Sequence, residues 1–377
     1  MNTQLKCLES PCNNMPNSDI DEDELYGVDM EWAKPKYTRK EINEAGEYLS
    51  GLLTGKGDYD ESTLDVALDI VDNFRVAHAF PLNTLQIRLR EFANRIDMNS
   101  IVAQRLKRLS SILLKLDRFK MMELYDMQDI GGCRAVVGSF KKVQQLVDDY
   151  KLSRIRHRLV REKDYIKQPR DSGYRSRHLV YRYISDRSEI YNGSQVEIQI
   201  RTPIQHAWAT TVETVDAFTK QALKSSRGKP EWERFFQLMG TWMAFREDTP
   251  PVPGTPTDMG ELRQELRNCA DELDVVKSLA GFWTALSVTQ RPSVKNADYF
   301  LLYLDNYNDR LKVTGYSRKE LNQASKAYAK IEKLIRGKER NDAVLVSVDS
   351  IRNLRRAYPN YFADTDRFVE ELTKALK

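Results

Sequence analysis

The 377 residues include 41% hydrophobic and 30% charged side chains with a net charge of +4, which fits a water-soluble globular protein of two or three domains. No apolar run approaches the ~20 residues of a membrane helix, and no apolar signal segment opens the chain, so no membrane association and a cytoplasmic location are expected. The four cysteines (Cys7, Cys12, Cys133, Cys269) are scattered without a second pair at ligand spacing, which argues against a zinc site or a disulfide framework.

In chain order, residues 1–35 read as an N-terminal arm, with seven acids and no Lys or Arg over 19–31. Helices are expected at 38–53, at 61–79 (ended by Phe80-Pro81) and at 83–96. The segment Arg75-x-x-His78-x-x-Pro81-Leu82 lies between the last two. Leu106, Leu109, Leu113 and Leu116 recur at helical spacing, predicting one helix over 100–118 with Arg105, Lys107, Ser111, Lys115 and Arg118 off the apolar stripe. Asp129 then precedes Gly131 and Gly132, which allow close backbone approach, and a buried strand from Arg134 to Val137. A helix over 140–150 follows.

Residues 151–178 hold ten Lys or Arg against three acids, a local surface suited to a polyanion. Within them, 163–178 is too polar and too broken by Pro169 and Gly173 to be a regular element. Gly173 lets the chain turn so that the Tyr174 ring is presented beside Lys163, Arg170, Arg175 and Arg177, an arrangement suited to a nucleotide. Strands are expected at 178–184 and 195–201. In the second, Glu197, Gln199 and Arg201 alternate with Val196, Ile198 and Ile200. Thr202-Pro203 opens a helix carrying His206, Trp208 and Glu213. The proline-rich 248–258 marks a boundary, and a connecting helix is expected over 259–289. A small unit follows: a hairpin (299–304 with 311–314), a helix over 317–337 capped by Ser317 and Glu320, a strand at 343–348, and helices at 349–357 and 365–376. Tyr358-Pro-Asn-Tyr361 lies between these last helices.

Four ordered segments, Arg105 to Arg118, Asp129 to Arg134, Lys163 to His178 and Val196 to Thr202, resemble the synthetase domain of the RelA/SpoT family, over roughly residues 70–250. The resemblance implies an α/β (α+β) fold, a mixed β-sheet nucleotidyltransferase-like core flanked by helices. It also implies transfer of pyrophosphate from ATP to a ribose 3′-hydroxyl, with Mg2+ as cofactor. By the same resemblance Arg105 and Arg134 clamp the adenine of ATP, and Lys107, Ser111, Lys115 and Arg118 hold its phosphates. Asp129 and Glu197 are the catalytic, magnesium-holding carboxylates, and Glu197 is placed to assist deprotonation of the attacking hydroxyl. Tyr174 stacks on the acceptor base through its ring, a role phenylalanine could fill. His178, Lys163 and Arg175 hold the acceptor, with Gln199 and Arg201 beside Glu197. The chemistry asks for such groups on its own account: cations for the triphosphate, hard oxygens for the metal, a base near the nucleophile. Only four histidines are present, so the family's metal hydrolase half is not expected.

Two acceptors stay open, a guanosine nucleotide or the 3′ CCA end of tRNA. The N-terminal helices, the basic stretch Arg154 to Arg161 and the C-terminal unit favour tRNA. The layout resembles the fused toxin–antitoxin members called CapRel. That implies a toxic synthetase at 36–250, a linker and connecting helix at 251–292, and a pseudo-zinc-finger-like antitoxin and sensor domain at 293–377. Tyr358 and Tyr361 would then block the ATP site until a phage major capsid protein binds the C-terminal domain and releases them.

Overall fold

The computed structural model describes residues 32–53, 60–219, 230–279, 287–290, 297–305, 310–335, 341–347, 351–362 and 365–377. The acidic arm, Cys7 and Cys12 lie outside these. Trp32–Lys377 form one compact unit.

Three helices open it: α1 (Arg39–Leu53), α2 (Glu61–Ala77) and α3 (Ala79–Ile96). Asp60 caps α2 by accepting the Thr63 N–H. The expected break at Phe80-Pro81 falls instead at His78, because Pro81 sits in the first turn of α3, where a missing N–H costs nothing. The single helix expected over 100–118 is a strand followed by a helix, β1 (Ile101–Leu106) and α4 (Leu109–Arg118). Ile101, Val102 and Ala103 are buried in the sheet, and the helix buries Ile112 together with Leu116 of the anticipated stripe, while Leu109 and Leu113 are partly buried beside them. β-branched residues and a short length favour the strand where helical and strand periods overlap.

β2 (Gly131–Val136), α5 (Phe140–Leu152), β3 (Arg158–Asp164), β4 (Arg177–Arg182), β5 (Gln195–Arg201), α6 (Pro203–Thr219), α7 (Pro230–Arg246) and α8 (Met259–Glu272) follow. α8 stops at Leu273, Asp274 turns at φ 45°, and 287–290 is a strand (β6), so the long connecting helix does not run to 289. Then come β7 (Tyr299–Asp305), β8 (Arg310–Tyr316), α9 (Leu321–Ile335), β9 (Asn341–Ser347), α10 (Ile351–Ala357) and α11 (Asp366–Leu376). The hairpin of β7 and β8 and the Ser317–Glu320 cap form as expected.

One nine-stranded mixed sheet runs β3-β4-β5-β2-β1-β9-β7-β8-β6. The C-terminal strands are therefore continuous with the core sheet, because β9 pairs with the edge of β1 at Gln104↔Ser347 and Arg105↔Val346. The C-terminal helix α11 also enters the core: Phe368 and Leu372 are buried with Trp208, Phe235 and Phe236 of α6 and α7. On one face of the sheet, Val196, Ile198 and Ile200 pack with Leu85 and Leu89 of α3 and Leu146 and Tyr150 of α5. Covering one face with these helices leaves the opposite face of the strands for chemistry. Among the described residues no helix is long and apolar enough to cross a membrane.

Candidate active site

Register alone collects the predicted residues. β2 lies parallel to β5, with Gly132 opposite Glu197 and Arg134 opposite Gln199. On the other side of β2, Arg105 of β1 stands opposite Gly132. β4 flanks β5 with His178 opposite Gln199, and Lys163 of β3 stands opposite His178. Paired residues share a face and alternate residues return to it. Arg105, Arg134, Glu197, Gln199, Arg201, His178 and Lys163 therefore all belong to one side of the sheet. Gly132 leaves that side bare between Arg105 and Glu197. A methyl at Gly131 or Gly132 would meet nothing closer than 3.4 Å, so the close backbone approach expected there is not what these glycines provide. Gly173 does meet expectation: it turns at φ 93°, and a Cβ there would come within 2.9 Å of the Phe236 carbonyl.

Asp129 sits in the turn before β2, where Lys107 Nζ reaches one carboxylate oxygen at 2.8 Å and Lys115 Nζ the other at 2.8 Å. Burial pushes the Asp129 carboxyl up, but Lys107 and Lys115 outweigh it and hold the group below its usual range. Lys107, in turn, is lowered by burial against the pull of Asp129. Ser111, Lys115 and Arg118 follow at i, i+4 and i+7 on α4. Arg118 stays exposed at the helix end, its guanidinium over the Phe119 ring.

Glu197 is held at both oxygens. His178 Nδ1 lies 2.8 Å from Oε1, and Gln199 Nε2 donates to Oε2 at 2.7 Å. Burial would raise this carboxyl, but His178 and Gln199 bring it far below the carboxylate range. His178 moves the opposite way: burial opposes its proton, yet Tyr174 and Glu197 raise it to about 9. Tyr174 OH lies 2.7 Å from His178 Nε2 and accepts from Arg201 Nη2 at 2.5 Å. The Tyr165 ring meets Tyr174 and His178 edge-on, with Arg170 above it at 4.4 Å. No sequence signal assigned Tyr165 a role.

Arg134 is brought down to about 10, by burial first and then by Arg201 and Arg105, with Glu213 of α6 countering. A wall of three guanidiniums suits a polyphosphate or a base sandwiched between planes. Arg175 is not part of it. Its guanidinium is 3% exposed and is spent on the carbonyls of Ile166 at 3.2 Å and Pro250 at 2.6 Å. It staples the loop instead of facing an acceptor.

Two ionised carboxylates within each other's field, and no larger cluster of His, Cys, Asp or Glu among the described residues, fit a hard ion of the magnesium kind. Such an ion takes one or two carboxylates and fills its remaining positions with water and substrate phosphate. Asp129 and Glu197 would hold it, and its charge would offset that of a polyphosphate.

The C-terminal segment lies against the same residues. Tyr358 OH donates to the Gln104 carbonyl at 3.1 Å, Arg108 donates to Tyr361 OH at 3.3 Å, and Arg134 donates to the Ala357 carbonyl at 3.3 Å. Glu332 of α9 forms a 2.7 Å ion pair with Arg75 of α2 and accepts the Leu109 N–H at the start of α4 at 3.4 Å. Arg108 and Glu332 were not singled out from sequence, and Glu213 was placed on its helix without a role. Glu332 had no local signal, being 257 residues from Arg75.

The family described as a region found in RelA / SpoT proteins matches residues 104–219, which span β1 to α6. The GTP pyrophosphokinase YjbM of Bacillus subtilis (strain 168) is 32% identical over 147 residues, 37% of this chain and 69% of that protein. Among solved structures, the small alarmone synthetase 1 of Bacillus subtilis bound to its product pppGpp is 28% identical with a TM-score of 0.41, covering 47% of this chain and 92% of that one. A GTP pyrophosphokinase family protein from Streptococcus pneumoniae is 28% identical with a TM-score of 0.37, covering 50% and 91%. The class is thus an ATP-dependent pyrophosphotransferase built on a mixed α/β sheet. The chain belongs to the RelA/SpoT family, on its synthetase side.

Proposed function

We propose that the chain transfers pyrophosphate from ATP to the 3′ end of tRNA, blocking translation, and that its C-terminal unit holds this activity in check. The observation that carries the reading is the seat of that unit. Ala357, Tyr358, Tyr361 and Glu332 contact Arg134, Gln104, Arg108 and the start of α4, the elements assigned to ATP. Tyr358 and Tyr361 are buried there with Ile101, Ala103 and Val136 of the core strands. A restraint in the same chain acts at high effective concentration, so modest contacts suffice. In this reading 36–250 is the toxic synthetase, 251–292 the connection and 293–377 the antitoxin and sensor. Arg105 and Arg134 clamp adenine, while Lys107, Ser111, Lys115 and Arg118 hold phosphates. Asp129 and Glu197 carry magnesium, and Tyr174, His178 and Lys163 face the acceptor. The resemblance to CapRel proteins supports a phage major capsid protein as the releasing partner and a role in antiphage defence.

The tRNA acceptor is supported by the exposed arginines of the sheet edge. Arg158 of β3 and Arg182 of β4 stand opposite each other, and both are exposed, as is Arg161. Like charges directly opposite on a strand pair disfavour folding, and a phosphate backbone would neutralise them. A second reading, a guanosine nucleotide as acceptor, is favoured by the related GTP pyrophosphokinase YjbM.

Purified full-length protein and its Tyr358→Ala/Tyr361→Ala variant, given ATP labelled in the β- and γ-phosphates with either deacylated tRNA or GDP, distinguish the two. The proposal expects label on the terminal adenosine of tRNA, rising in the variant. Label on GDP with tRNA left bare overturns the tRNA assignment. Equal rates for the two proteins overturn the restraint. Point variants serve better than truncation, because deletion of the C-terminal unit would strip Phe368 and Leu372 from the core.

A further inference from the structure

The groups around Glu197 form a closed circuit. Arg201 Nη2 donates to two acceptors, Tyr174 OH at 2.5 Å and Gln199 Oε1 at 2.8 Å. From Tyr174 one arm continues through His178 Nε2 at 2.7 Å, and His178 Nδ1 reaches Glu197 Oε1 at 2.8 Å. From Gln199 the other arm ends at Glu197 Oε2 at 2.7 Å. Two chains that start on one nitrogen therefore finish on the two oxygens of one carboxylate. Every contact has a donor: with His178 held protonated by its neighbours, Nδ1–H faces the carboxylate and Nε2–H faces the tyrosine oxygen, which also accepts from Arg201.

The circuit is preorganised by the fold. His178, Glu197, Gln199 and Arg201 stand on adjacent strands in fixed register. Tyr174 reaches them from the loop because Gly173 turns at φ 93° against Gly240, whose own Cβ would meet Gly173 Cα at 3.0 Å. Ser176 Oγ, also buried, accepts from Arg201 Nε at 3.4 Å and holds the guanidinium plane.

We propose that the Tyr174 hydroxyl is a positioning group for the pyrophosphoryl transfer, which fixes the orientation of Glu197 through His178. Tyr174 then has two functions on two parts of one side chain. Its ring is the face for the acceptor base, and its hydroxyl is the end of an arm that aims the carboxylate. An acceptor seated on the ring is thereby tied to the carboxylate meant to act on it. A ring without the hydroxyl does not suffice, contrary to the expectation that phenylalanine could serve. The inference rests on the assignment of Glu197 to the reaction.

The test is steady-state kinetics of the full-length protein, made active by Tyr358→Ala/Tyr361→Ala where basal rates are too low, with Tyr174→Phe, His178→Gln, Gln199→Met and Glu197→Gln. Tyr174→Phe keeps the stacking face and removes only the arm. The expected result is a fall in kcat of about tenfold or more, the range for losing a hydrogen bond within a charged network, with acceptor KM within about threefold. Tyr174→Phe/His178→Gln should be no worse than the poorer single variant, because both cut the same arm. Tyr174→Phe/Gln199→Met should lose more than either single variant, because the carboxylate is then freed at both oxygens. An unchanged kcat in Tyr174→Phe, or a loss carried only by acceptor KM, overturns the proposal. Multiplicative losses for Tyr174→Phe with His178→Gln do the same, and the His178→Gln and Gln199→Met pair reads the two arms even if the phenylalanine variant is insoluble. If Glu197→Gln itself turns over normally, the site assignment fails rather than the arm alone.

Discussion

Glu332 is the most informative residue to change in the C-terminal seat, because it acts at a distance from the two tyrosines and through charge. Its carboxylate receives Arg75 Nη1 at 2.7 Å, the Tyr328 hydroxyl at 2.6 Å and the Leu109 N–H at 3.4 Å. Arg75 is 1% exposed and Glu332 13%, so the pair is only weakly screened. Glu332→Gln keeps the shape and removes the charge. Arg75 is then left with Asp72 at 3.6 Å, a partner 39% exposed. Removing one member of a buried pair typically costs about 3–5 kcal/mol, and the amide's residual hydrogen bonding argues for the lower end. The start of α4 also loses an anion, worth roughly 0.3–1 kcal/mol. A total near 3 kcal/mol is on the order of a hundredfold in the docking equilibrium.

If docking limits ATP entry, basal transfer by full-length Glu332→Gln should rise by about that factor at low ATP, with a lower apparent KM for ATP. The control is Arg75→Met/Glu332→Leu. Replacing a buried pair by apolar residues of similar size is often neutral, so this variant should return to the restrained basal rate. A well-folded Glu332→Gln protein with the original basal rate would refute the argument that α9 restrains the synthetase. So would an Arg75→Met/Glu332→Leu protein as active as the single variant, since the gain would then come from something other than undocking.

Asp129→Asn and Glu197→Gln, each tested in the de-repressed background, should lower transfer by about a hundredfold or more, the scale for groups that meet charge in the transition state. Melting temperatures near that of the parent would show the loss is chemical. Stability should also depend on pH through His78, which is 4% exposed and donates Nδ1–H to the Phe74 carbonyl at 2.8 Å. Burial brings its imidazole down to about 4 against that hydrogen bond. The unfolded chain takes this proton below about pH 6.5, and the folded chain only below about 4. The contribution of neutral His78 is therefore complete above 6.5 and is lost as pH falls towards 4, by about 3 kcal/mol in all. Urea midpoints for the parent should drop more between pH 7 and 5 than those for His78→Gln, and parallel curves would contradict the assignment.

How much of this was legible depended on whether the signal was local. β5 announced itself, since Val196, Ile198 and Ile200 alternate with Glu197, Gln199 and Arg201 and one face had to be buried. Because β2 and β4 pair with β5 in fixed register, predicting that strand already placed most of the site on one face. β1 was misread because Leu106 continues the helical stripe of α4 backwards, and what decides the matter is pairing with β2, a tertiary fact. Arg175 looked like one cation among several in a basic loop. Its burial depends on Pro250, 75 residues on, which folds back over it. A Tyr-x-x-Tyr spacing puts two rings on one side of a helical turn. They do reach neighbouring parts of the core, but not as one helical face: Tyr358 follows α10 and Tyr361 lies in the next short turn. One hydroxyl thus meets the Gln104 carbonyl and the other Arg108, bracketing the end of β1. That bracketing adds something the motif alone did not. The C-terminal unit holds the junction between the strand bearing Arg105 and the helix bearing Ser111 and Lys115, and β9 pairs with the same strand at Arg105. Undocking would leave the β1 edge unpaired as well as freeing the tyrosines. Under the proposed restraint, release would cost strand hydrogen bonds besides the ring contacts, and any releasing partner would have to repay both.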